Sequence, residues 1–179
     1  FNQQGILNEH LEVIVGDDSG QAFYQNIQTI VNQGKMQHAD GDSWLQRYSE
    51  QKPFIPSVPA RLVHGDFDPS NILVIPDTQS KGWRVDTILD WEFVHSGTYL
   101  RDMASMLRYA HTMPTVFEEA FIQGIETQHK LPKNWELGVD WANVFALVDC
   151  LRWRTNPKLQ PIRYQDVKQL LLHYAHKLR

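Results

Sequence analysis

A histidine at 64, an aspartate at 66, an asparagine at 71 and a second aspartate at 90 follow the order H-x-D-x-x-x-x-N and then D, all within the stretch Leu62 to Trp91. That order suits phosphoryl transfer, which asks a protein for little covalent chemistry. It needs a positioned acceptor hydroxyl and divalent metal to offset charge on the transferring oxygens. Asp66 can orient a hydroxyl and take its proton, and the Asp90 carboxylate can bridge metal to phosphates. The Asn71 amide oxygen can complete a hard oxygen shell without adding charge. Taken singly these are ordinary turn residues, since Asp and Asn hydrogen-bond locally in turns. The functional reading rests on their order and on the elements that flank them.

Those elements must bring the second acid back to the loop. Arg61 to Val63 leads in, and Ile72 to Ile75 and Arg84 to Leu89 are short apolar or β-branched runs on either side of the turn-rich Pro76 to Gly82. Such a pattern predicts an antiparallel hairpin, and the hairpin is expected to hold Asn71 and Asp90 close enough to share one metal ion. Before the site, Leu11 to Val15 reads as a short strand. Asp17, Asp18 and Ser19 then offer a cap to a helix with Phe23, Ile27, Ile30 and Val31 inward, stopped by Gly34. Asp42 is expected to cap a second, shorter helix facing inward with Trp44, Leu45 and Tyr48, ahead of a connector marked by Pro53, Pro56 and Pro59.

After the site the spacing is helical throughout. Leu100, Met103, Ala104, Leu107 and Ala110 share one face. Thr115 and Glu118 form a capping-box pair opening a helix that buries Phe117, Phe121 and Ile125. Asp140 is expected to cap the next, with Val144, Leu147, Val148 and Leu151 inward. Val167, Leu170, Leu171, Tyr174 and Leu178 make the last. His173 and His176 lack a third metal ligand in sequence view and read as a solvated face. The tryptophans at 135, 141 and 153 read as core, and Asp149, Arg152 and Arg154 as surface or interface charges.

Composition narrows the partners. A chain of 179 residues, 42% hydrophobic and 21% charged, suffices for one domain with one sizeable core. Its net charge of −4 supplies no basic field, so nucleic acid is not expected as a partner. The single cysteine, Cys150, has no partner for an internal disulfide, which with the lack of any apolar run of about 20 residues points to a cytoplasmic protein with no membrane role. The chain opens at Phe1 without a methionine, and the expectation is that a segment precedes it.

The residues of the site resemble the catalytic core of the aminoglycoside phosphotransferase and choline kinase superfamily, whose loop reads H-G-D-[LF]-x-x-x-N-[IL] and whose metal segment reads [IL]-D-[WF]. Here the corresponding stretches are His64-Gly65-Asp66-Phe67-Asp68-Pro69-Ser70-Asn71-Ile72 and Leu89-Asp90-Trp91. Gly97 to Ala104 is similar to the family's G-x-x-x-x-D-[LI]-A segment, with Asp102 as its acid. The resemblance implies an α+β fold: a mainly helical, protein-kinase-like C-terminal lobe, with a small hairpin carrying the catalytic and metal-binding loops. It implies Asp66 as the catalytic acid–base group, Asn71 and Asp90 as Mg²⁺ ligands, and His64 and Asp102 as supports of the loop. ATP, or GTP, is the implied donor and a small-molecule hydroxyl the acceptor. Asp68 and Glu92 flank the site and are candidates to contact a cationic substrate, although exposed acids beside a loop are ordinarily solvated.

The family's N-terminal lobe supplies a glycine-rich loop and a strand lysine, and nothing before Leu62 resembles either. Gly16, Gly20, Gly34 and Gly41 are too widely spaced, and Lys35 falls at a helix end. The expectation is therefore a single domain, 1–179, forming the C-terminal lobe alone, inactive without its nucleotide-binding partner lobe. The alternative is a non-catalytic, kinase-like lobe that binds a metabolite or a partner protein. A protein kinase is disfavoured, because no A-P-E segment follows Asp90.

Overall fold

The computed structural model describes residues 1–16 and 18–179. In chain order its elements are β1 (Gly5–Leu7), β2 (Val13–Gly16), α1 (Ser19–Asn32), α2 (His38–Gln51), β3 (Arg61–Val63), β4 (Ile72–Asp77), β5 (Gly82–Ile88), β6 (His95–Gly97), α3 (Leu100–Leu107), α4 (Thr115–Glu126), α5 (Trp135–Trp153) and α6 (Pro161–Lys177). The fold is α+β, with six α-helices and two small antiparallel sheets among the described residues. Two compact units divide the chain: residues 1–16 with Val58–Leu131, and Asp18–Ser57 with Pro132–Arg179.

The second unit is helical. Phe23, Ile27 and Ile30 of α1, Trp44 and Tyr48 of α2, Trp141, Val144, Val148 and Leu151 of α5, and Val167, Leu170, Leu171 and Tyr174 of α6 are all buried. Each such side chain contributes about 1.5–3 kcal/mol of hydrophobic stabilisation. Phe23, Tyr48 and Trp141 meet with ring centroids 5.1–5.9 Å apart, and the Trp141 indole N–H donates to Gln51 Oε1 at 2.9 Å. Lys35 spends its ammonium on the carbonyls of Leu151, Arg152 and Thr155, at 2.8, 3.2 and 3.0 Å. It closes the C-terminal end of α5, where the helix dipole favours a cation.

The first unit carries both sheets. The larger is ordered β2-β1-β6-β3, and the smaller is the β4-β5 hairpin. Ser96 on β6 sits opposite Leu62 and Gly5, and its buried hydroxyl donates to the Gln3 carbonyl at 2.7 Å. The hairpin pairs Ile72 with Ile88 and Asp77 with Gly82, with one irregularity between Leu73 and Val74. Asp77 steadies its turn by accepting from Ser80 Oγ and Gln79 N–H, which hold its carboxyl below the ordinary aspartate range. Leu100, Met103, Ala104, Leu107 and Ala110 are buried along α3 and the 3-10 turn that follows it.

Several expected boundaries differ. Asp18 accepts from the Gln21 N–H and caps α1 as read, while Asp17 lies outside the described residues. Asp42 caps nothing: α2 begins four residues earlier, and Asp40 is the acid in its first turn. Asp140 lies inside α5, which starts at Trp135 behind Asn134 in the left-handed region (φ 61°). The Thr115–Glu118 box does not form, because Pro114 holds the cap position and places Thr115 already inside the helix. No residue of α4 is buried; Phe117, Phe121 and Ile125 are only half covered. Trp153, read as core, is 67% exposed, with the Arg152 guanidinium 4.2 Å from its ring centroid.

Candidate active site

Gly65 makes the loop possible. At φ +84° it occupies backbone space that disfavours a Cβ, and a Cβ there would stand 2.4 Å from the Phe93 carbonyl oxygen. The flanking peptide groups are gripped from α3. Asp102, in the first turn of that helix, accepts from His64 N–H at 2.9 Å with one carboxylate oxygen and from Gly65 N–H at 2.9 Å with the other. Hydrogen bonds to a carboxylate are roughly twice as strong as neutral ones, so Asp102 is the anchor of the loop backbone.

His64 is 3% exposed and bridges the loop to the hairpin. The Asp66 N–H donates to its Nδ1 at 3.3 Å, which leaves the proton on Nε2, and Nε2–H donates to the Leu89 carbonyl at 2.8 Å. Its ring packs against Trp91 with centroids 4.6 Å apart. Both ring nitrogens thus have structural partners, in keeping with a brace.

Asp66, Asp68 and Asn71 follow on the same turn. The Asn71 amide nitrogen donates to the Asp66 carbonyl at 2.9 Å, so the oxygen is the end of that amide left for a cation. Asp68 caps the 3-10 turn Pro69–Asn71, with Oδ1 accepting from Ser70 N–H at 2.9 Å and Ser70 Oγ at 2.7 Å. Asp66 is half-buried, while Asp90 and Glu92 are exposed.

Leu89 ties the two halves together. Its N–H donates to the Asn71 carbonyl at 2.8 Å, and its own carbonyl receives the His64 bond. Asp90 is therefore one residue beyond a peptide fixed at both atoms, and the chain turns there through the left-handed region (φ 64°, ψ 59°). A non-glycine residue pays about 1–2 kcal/mol for that conformation, less for Asp, which tolerates it best with Asn. Leu89 and Trp91 stand in the Leu89-Asp90-Trp91 motif, but the motif does not show what either one does. Leu89 acts through its backbone, and the Trp91 contact with His64 is set by a 3-10 turn no pattern announces.

Oxygen donors on Asn71 and Asp90 are the kind a hard divalent cation takes. Among the described residues no group of three or more His, Cys, Asp or Glu is placed to form a cage for a metal. Magnesium at phosphates needs no such cage, since it keeps one or two carboxylates and fills its shell with water and phosphate oxygens.

Residues 23–137, more than half of the chain, match the phosphotransferase enzyme family. The chain belongs to that family. The match takes in the loop, the hairpin and the start of α5, so it spans every residue of the site just described. No curated protein and no solved structure matches this phosphotransferase-family chain. No helix among its described residues is long and apolar enough to cross a membrane.

Proposed function

We propose that this chain is the kinase-like C-terminal lobe of an enzyme that moves the γ-phosphoryl group of ATP, or of GTP, to a hydroxyl of a small molecule. The observation that carries the reading is the double tether of Leu89, which joins the HGD loop to the end of the hairpin and so gives Asp66, Asn71 and Asp90 a common frame. In this reading Asp66 accepts the hydroxyl proton as the acceptor oxygen attacks. Asn71 and Asp90 would hold Mg²⁺, which when bound offsets charge on the phosphate oxygens. His64 and Asp102 do no chemistry; they keep the loop in place.

The nucleotide clamp is assigned to a separate N-terminal lobe. Lys35, the first lysine of the chain, is consumed by three carbonyls and is not available to phosphates. The fragment by itself is expected to turn over ATP poorly, because positioning the nucleotide is much of phosphoryl-transfer catalysis. For a cationic acceptor, exposed Glu92 is the better placed contact, since Asp68 already spends Oδ1 on Ser70.

The test is Asp66→Asn in the enzyme carrying its nucleotide-binding lobe. Losing the proton acceptor while keeping shape should lower kcat by about 10²–10⁴ with nucleotide KM nearly unchanged. Asp68→Asn should cost far less. An active Asp66→Asn beside a dead Asp68→Asn would move the acid–base role to Asp68 and overturn the register of the site.

A further inference from the structure

The unit built around the site contains a cavity of about 690 Å³, within the range of small-molecule sites, and none of Asp66, Asn71 or Asp90 lines it. Leu62 of β3, Phe67 and Trp91 from the two loops, and Phe121 and Ile125 of α4 form its apolar wall. This explains α4: its apolar face is half covered because two of its three inward residues border a void.

The charge around the void is one-sided. Arg61 and Lys130 line it, and neither pairs with a carboxylate among the described residues. Asp102 is the sole acid of the lining, and both its oxygens are taken by the His64 and Gly65 N–H groups. Burial pushes the Tyr99 phenol up, against a smaller pull from Arg61, so this wall also offers a hydroxyl donor at neutral pH. On a chain of net charge −4 nothing draws anions generally to the surface, so an anion bound here is bound by local groups.

We propose that the cavity binds a small aromatic anion, its flat apolar body against Trp91, Phe121 and Ile125 and its sulfonate or carboxylate met by Arg61 and Lys130. The site is separate from the residues assigned to phosphoryl transfer, yet its occupant lies beside His64 and Asp102, which hold the HGD loop.

The probe is 8-anilinonaphthalene-1-sulfonate, titrated by fluorescence against the folded chain, with uncharged N-phenyl-1-naphthylamine as its neutral counterpart. Saturable one-to-one binding is expected. Arg61→Gln and Lys130→Gln should each weaken the sulfonate about tenfold, one charge-assisted bond's worth, and leave the neutral probe within about twofold. Phe121→Ala should weaken both probes. If that variant unfolds, the two exposed charge variants still decide the matter. Trp83→Ser and Ile162→Ser alter exposed apolar residues outside the cavity, at 71% and 86% exposure, and should change nothing. The proposal is overturned if the sulfonate fails to bind, if both charge variants bind it like wild type, or if Trp83→Ser or Ile162→Ser abolishes binding. Slower exchange of the His64 and Gly65 amides on binding is the second expected readout; unchanged exchange would remove the link to the loop.

Discussion

Replacing Asp102 by Asn tests the anchoring of the loop with the least change of shape. The carboxylate accepts two backbone N–H bonds at 2.9 Å, one on each oxygen. In the amide one oxygen becomes an NH₂ group facing an N–H, so one charge-assisted bond is lost outright and the other becomes neutral. A hydrogen bond to a charged group is worth about 1.5–3 kcal/mol and a neutral one about 0.5–1.5. The expected loss is therefore about 3 kcal/mol, a large share of a domain stability of about 5–15 kcal/mol. If the loss appears as local opening, it is about a hundredfold in the open population. Hydrogen exchange read at individual amides should show His64 and Gly65 exchanging about 10² faster, while the buried amides of α1 and α5 keep their protection. Wild-type exchange at both amides together with an unchanged denaturation midpoint would refute the anchoring role of Asp102.

Three further outcomes follow from the same geometry. Gly65→Ala should destabilise by more than about 2 kcal/mol in urea denaturation, because the positive φ costs about 1–2 kcal/mol and the new Cβ would meet the Phe93 carbonyl at 2.4 Å. Asp90→Asn should leave stability within about 0.5 kcal/mol, since Asn is equally at home at φ 64°, yet, if the proposed function holds, shift the Mg²⁺ dependence of activity to higher concentration. Burial pushes the Asp140 carboxyl above the ordinary aspartate range, opposed by the hydrogen bond from Lys177 at 2.7 Å. With the native pKa raised, the unfolded chain releases this proton first. The group's contribution to stability is thus intact below about pH 4 and falls as pH rises through the native value. Asp140→Asn should flatten that fall in denaturation midpoints measured from pH 3 to 7, and an unaltered slope would place the pH dependence elsewhere.

What the sequence made legible was governed by side-chain pattern. The apolar spacing of Phe23, Ile27 and Ile30, and of Val167, Leu170, Leu171 and Tyr174, marked two helices whose burial follows from that spacing. Helix starts were less legible, because Asp42, Thr115 and Asp140 are good caps in isolation but lie inside helices that local sequence carries further back. β1 and β6 have three residues each, too few for an alternating pattern, and β6 reads His-Ser-Gly; they are strands because neighbours hydrogen-bond to them. At the site, the order of His64, Asp66, Asn71 and Asp90 was visible because the proposed chemistry would act through side-chain types, which the sequence spells out. The network that holds them runs through the peptide groups of His64, Gly65, Asp66 and Leu89, where side-chain identity leaves no mark.

Leu89 shows where that leads. Its side chain is 40% exposed, and its tethers are main-chain atoms. Nineteen amino acids possess the N–H that bonds Asn71, and proline alone does not. The position should accept almost any substitution while forbidding one. An inventory of mutational tolerance would score it as unconstrained, although severing it would free the acid at 90 from the loop to which Leu89 ties it. The requirement belongs to the chain's connectivity and not to any residue type, and it can pass unrecorded through wide divergence of sequence.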